Sequence, residues 1–73
     1  MKLVSSKQLY GGSYPIPTTR IRPYGYEYLF DDELVLIVEG DGDRAPSRYV
    51  LDHDRKEVEV SDLSERLKLA GWG

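Results

Sequence analysis

Tyr26-Glu27-Tyr28-Leu29-Phe30-Asp31-Asp32-Glu33-Leu34-Val35-Leu36-Ile37-Val38-Glu39 is the stretch from which the fold follows. In its first five residues Tyr26, Tyr28 and Phe30 alternate with Glu27 and Leu29. On an extended backbone, where successive side chains point to opposite faces, this gathers three aromatic rings on one side. Asp31-Asp32 supplies turn chemistry, because an Asp carboxylate bonds to backbone N–H groups just ahead of it and tolerates unusual dihedrals. The residues that follow are apolar on both faces, with Leu34, Leu36 and Val38 on one and Val35 and Ile37 on the other. A short run of that kind suits a strand covered on both sides. The pattern predicts a hairpin whose second arm, residues 33–39, is the central strand.

Outward toward the C-terminus, Gly40-Asp41-Gly42-Asp43-Arg44-Ala45-Pro46 has the polar, turn-forming character of a strand connection. Residues 47–51 resume a strand, Asp52-His53-Asp54-Arg55 turns again, and Lys56-Glu57-Val58-Glu59-Val60 alternates between charged and apolar residues as a half-exposed strand does. Ser61 or Asp62 then caps a helix, with Glu65 three residues after Asp62 in capping-box spacing and Leu63, Leu67 and Ala70 on one face. Gly71 stops it, leaving Trp72-Gly73 as a tail. A helix this short is marginal alone and must dock on the sheet to persist.

Toward the N-terminus, Gly11-Gly12, Pro15, Pro17, Pro23 and Gly25 fall close together. Each Pro removes a backbone donor and biases its predecessor toward extended conformations, so neither a helix nor a central strand is expected from Gly11 to Gly25. Residues 2–6 offer a short edge strand with two strongly apolar residues, Leu3 and Val4. The expected architecture is an α+β domain spanning residues 1–73: an extended N-terminal arm (1–25), a three- to four-stranded antiparallel sheet (26–60) and one short C-terminal helix (61–70).

With 73 residues, zero Cys and one His, the chain holds one core at most and has neither disulfides nor a zinc ligand set to reinforce it. The absence of Cys points to a reducing cytoplasm, and no apolar run approaches the roughly 18 residues of a membrane span. Charge is unevenly placed. Residues 1–26 carry four bases and no acid, +4, whereas residues 27–73 carry all 13 acids against six bases, −7, giving the net charge of −3. A basic arm joins an acidic body.

Catalytic, cofactor and metal chemistry find little support. Asp41 and Asp43 alternate as in a calcium loop, but Ala45-Pro46-Ser47 follows where further oxygen ligands belong. His53 between Asp52 and Asp54 lacks the further histidines that a metal shell needs. The six serines have only that His as a base. Asp31-Asp32 and Glu57/Glu59 occupy turn and exposed-strand positions, and Gly11-Gly12 has no strand-turn-helix unit around it to cradle a phosphate. The chain is expected to be non-enzymatic, without cofactor or metal.

The arm offers partner-binding candidates instead: Lys7, Tyr10, Tyr14, Ile16, Arg20, Ile21, Arg22 and Tyr24. Tyr and Arg dominate interface energetics, and prolines reduce the entropy lost on ordering. The same tyrosines would equally serve to cover an exposed face of the chain's own sheet. Two functions fit. In one, arm and body bind complementary patches on a larger protein. In the other, Lys7, Arg20 and Arg22 contact phosphates while Tyr14 or Tyr24 stacks on bases, against which the −7 body counts.

In length, lack of Cys and acidic character the whole chain resembles small phage-encoded transcription regulators of the Xanthomonas phage type. The resemblance implies that the partner is host RNA polymerase, that initiation is inhibited and termination bypassed, and that the host cytoplasm is the site of action.

Overall fold

A computed structural model of the chain describes residues 1–10, 23–40 and 46–72. Its five strands form one antiparallel sheet in sequence order: β1 (Leu3–Leu9), β2 (Gly25–Phe30), β3 (Val35–Glu39), β4 (Ser47–Leu51) and β5 (Glu57–Val58). Among the described residues one helix, α1 (Leu63–Leu69), follows. The predicted α+β meander with a C-terminal helix is what forms.

β3 is the middle strand, and instead of the one core expected its two faces feed two apolar clusters, one on each side of the same sheet. Leu36 and Val38 join Tyr28, Phe30, Val50 and Leu67 beneath α1, while Val35 and Ile37 pack with Leu51, Leu9 and Tyr49 on the opposite face. Leu36 is 0 % exposed, which fits a strand flanked on both edges and covered on both sides.

The two tight hairpins share one geometry. Glu33 N–H donates to the Phe30 carbonyl and Phe30 N–H to the Leu34 carbonyl. The same pair of bonds recurs from Arg55 to Asp52 and from Asp52 to Lys56. In each three-residue loop the last residue is left-handed, Glu33 with φ 68° and Arg55 with φ 65°. Glycine is the usual occupant of that position. The second loop is held further by the Asp52 carboxylate, whose Oδ1 accepts from Asp54 N–H at 2.9 Å and Lys56 N–H at 3.0 Å.

The central strand begins at Val35 rather than at residue 33, because Glu33 takes the left-handed position of the turn, and three further features depart from expectation. Residues 3–9, assigned to the arm apart from a possible strand over 2–6, pair with β2 along their length. Nearly all of β1 is exposed, so backbone hydrogen bonds to β2 hold it where apolar periodicity gives no signal. A bulge between Leu3 and Ser5 sets Val4 out of register, and the Lys2 N–H reaches Asp31 Oδ1 at 3.0 Å. Next, the capping box is not made: Asp62 occupies the N-cap without bonding a backbone N–H of the first turn, because its carboxylate is engaged by the Arg66 guanidinium.

Trp72, finally, is not a tail. Gly71, at φ 94°, turns the chain so that its N–H reaches the Lys68 carbonyl at 3.0 Å and Trp72 N–H the Leu67 carbonyl at 2.8 Å. This is a Schellman cap, which closes the helix and folds the next side chain back on it. The Trp72 ring packs on the core and its Nε1–H donates to the Tyr28 hydroxyl at 2.7 Å.

Candidate functional site

The Leu9–Gly40 end of the sheet carries the exposed aromatic residues found among the described ones, Tyr10 and Tyr24. Tyr24 N–H donates to the Leu9 carbonyl at 2.8 Å and Gly40 N–H to the Tyr24 carbonyl at 3.0 Å, so β1, β2 and β3 end together. Gly25 permits this closeness, since a Cβ there would lie 2.7 Å from the Val38 carbonyl oxygen. Tyr10 and Tyr24 stand at this end with 51 % and 44 % of their surface exposed, and the Tyr10 hydroxyl donates to Gln8 Oε1.

Of the predicted contact residues, Lys7, Tyr10 and Tyr24 are brought to β1 and its junction with β2. Lys7 is exposed and lies opposite Glu27 in the strand register. Tyr14, Ile16, Arg20, Ile21 and Arg22 lie outside the described residues, as do Asp41 and Asp43. His53 sits in the β4–β5 turn, its side chain 74 % exposed and its Nε2 3.3 Å from Asp54 Oδ2. Among the described residues no group of three or more His, Cys, Asp and Glu side chains is placed to hold a metal ion.

On the α1 face, Tyr24, Tyr26, Trp72 and Pro46 wall a cleft of about 210 Å³ floored by Val38. Tyr26 stacks toward Tyr28 with ring centroids 6.3 Å apart and meets Trp72 edge-on at 5.7 Å. The bond from Trp72 to the Tyr28 hydroxyl fixes the indole, so the rings form a preorganised wall. Around the other side of Trp72 a second depression carries Arg48, Ser64 and Lys68. Only Tyr24 of this set stood among the predicted contacts. Trp72 and Tyr26 escaped because their meeting depends on the helix cap, which brings together residues far apart in sequence.

Two polar contacts elsewhere are structural. Arg66, 2 % exposed, is held between Asp32 and Asp62 and lies over the Phe30 ring with its Cζ 4.9 Å from the centroid. Hydrogen bonding to Arg66 lowers the Asp32 pKa, and the same bond raises that of Arg66. On the far face Tyr49 donates to Glu39 Oε1 at 2.8 Å, and burial, reinforced by that carboxylate, pushes its phenol up to about 12. Neither pair opens onto the cleft.

No helix among the described residues is long and apolar enough to cross a membrane. No known protein family, curated protein or solved structure matches the chain.

Proposed function

We propose that the chain is a non-enzymatic regulator that binds a larger protein, and that its target is host RNA polymerase, with initiation inhibited and terminators read through. The observation that carries the binding reading is the rigid aromatic cleft of Tyr24, Tyr26 and Trp72 beside exposed Tyr10. Aromatic side chains held in place lose little entropy on binding and offer large contact areas, which is how interface anchors work. At about 210 Å³ the aromatic cleft has room for a single anchoring side chain. The choice of polymerase rests on the resemblance to phage regulators in length, lack of Cys and acidic character.

Purified bacterial RNA polymerase incubated with the chain provides the test. A complex on size-exclusion chromatography, fewer transcripts from a promoter template and more read-through at a terminator are expected. Absence of a complex at micromolar concentrations removes the polymerase assignment. Affinity for DNA or RNA that falls steeply with salt would replace it with the nucleic-acid reading.

A further inference from the structure

Trp72 is the shared wall of two depressions with different chemistry. On one side are the rings of Tyr24 and Tyr26, with Pro46 and Val38 completing an apolar slot. On the other are Arg48 from β4 and Ser64 and Lys68 from α1. Arg48 reaches this face because it pairs with Val38 in the β3–β4 register, and Lys68 because it stands in the last turn of α1. Both cations are exposed, and among the described residues neither forms a salt bridge. They are two cations on a body that is otherwise strongly acidic, and on its other flank Arg48 borders a depression that carries Glu57 and Glu59.

The geometry points to a peptide-docking groove across Trp72 that takes an acidic segment of a partner protein, with an aromatic or prolyl side chain in the Tyr24/Tyr26 slot and carboxylates against Arg48 and Lys68. The apolar slot supplies burial, and the flanking cations fix the sign and direction of the bound segment. A polyproline ligand without acids fits less well. Such a ligand leaves Arg48 and Lys68 without a charged partner. A segment bearing cations across Trp72 would set like charges against Arg48 and Lys68. The inference rests on the binding-protein reading and names the chemistry of one contact, whichever protein supplies it.

Trp72 is the sole tryptophan, so its fluorescence reports on the groove directly. Three tryptophan-free probes are titrated into the full chain: acetyl-EEFPEE-amide, acetyl-KKFPKK-amide and acetyl-EEAAEE-amide. The first is expected to shift the emission saturably and to bind at least about fivefold more tightly than either of the others, the scale set by a few exposed ion pairs and one buried ring. Arg48→Glu together with Lys68→Glu, both at exposed positions, is expected to abolish the preference for the acidic probe; Tyr24→Ala is expected to weaken the first probe selectively. Equal or tighter binding of the lysine peptide overturns the inference, as does an emission spectrum that no peptide changes. An emission shift produced by raising protein concentration alone, and not competed by the acidic probe, would assign the groove to a second copy and overturn it as well. These readings need no polymerase. A chain that binds polymerase but shows no acidic-probe preference refutes the groove alone, and the converse refutes the polymerase target alone.

Discussion

Arg66 on α1 reaches Asp32, 34 residues earlier in the β2–β3 turn, with Nη2 2.5 Å from Oδ2 and Nη1 3.2 Å from Oδ1. The two-pronged contact ties the helix to the opposite end of the sheet from the aromatic cleft. Asp62 takes the Nε–H at 2.8 Å, so the guanidinium is satisfied although almost wholly buried.

That arrangement predicts an order of effects. The two carboxylates are partly exposed, with side-chain exposures of 41 % and 36 %, and regain water when Arg66 is removed. Arg66→Met, which loses the guanidinium over Phe30 but keeps an apolar side chain of similar length, should cost about 1–2 kcal/mol, and Arg66→Ala about 2–3 kcal/mol through lost packing. Replacing both acids, Asp32→Asn with Asp62→Asn, should cost more than either, about 3–5 kcal/mol, because a buried cation loses its charged acceptors. Urea unfolding of the variants checks the order.

Acid should act through the same pair. The Asp32 pKa lies below its ordinary 3.8, chiefly because Arg66 bonds to the charged form. A depressed pKa contributes stability that is present above the unfolded value and lost as pH falls through the folded one. Stability should therefore decline below about pH 4, and Asp32→Asn should flatten the decline. Denaturant midpoints measured across that interval decide it.

Alkali should act through Tyr49. Its pKa, pushed up to about 12 from 10.0, means that the folded protein holds the proton after the unfolded chain releases it. The associated stability is complete below pH 10 and lost as pH rises toward 12. Tyr49→Phe should remove that part of the pH dependence, as read by thermal melts at alkaline pH.

Glu33 and Arg55 occupy left-handed positions where a side chain carries a steric cost. Glu33→Gly should stabilise the chain by about 0.5–1 kcal/mol, the relief of strain exceeding the added freedom of the unfolded chain. Arg55→Gly should gain less, since Arg55 also pairs with Glu27 at 3.6 Å. Glu33→Ala, which keeps a Cβ, should give no such gain, and differential denaturation of the three variants separates the effects.

Ile37 is 2 % exposed in the core away from the helix. Ile37→Asp places an unpaired charge there and should abolish the cooperative melt, whereas Val4→Asp at the exposed bulge of β1 should leave it within about 0.5 kcal/mol. Circular dichroism melts distinguish the two. Deleting residues 1–22 would be a poor probe of binding, because it strips β1 from β2; substitutions at Lys7, Tyr10 and Tyr24 keep the pairing.

The central hairpin, the aromatic face of β2, the two-sided burial of β3, the strand over residues 47–51 and the helix with its Gly71 stop were legible from residue order. Each is a local periodicity or turn preference, and such signals act between near neighbours whatever the rest of the chain does. β1 was only partly legible. Its place comes from unsatisfied donors and acceptors on β2, a demand that the residues of β1 do not themselves encode.

Tertiary structure alone decided the fate of the charged and aromatic residues near the end of the chain. Arg66, read locally, belongs on a solvated helix face; it is buried because Asp32 and the Phe30 ring arrive from another hairpin. Trp72 becomes the wall of a cleft because the Schellman cap redirects it onto Tyr26 and Tyr28. Sequence fixes which contacts are chemically favourable, but a contact between residues tens of positions apart exists only once loop closure has been overcome by the packing of the whole.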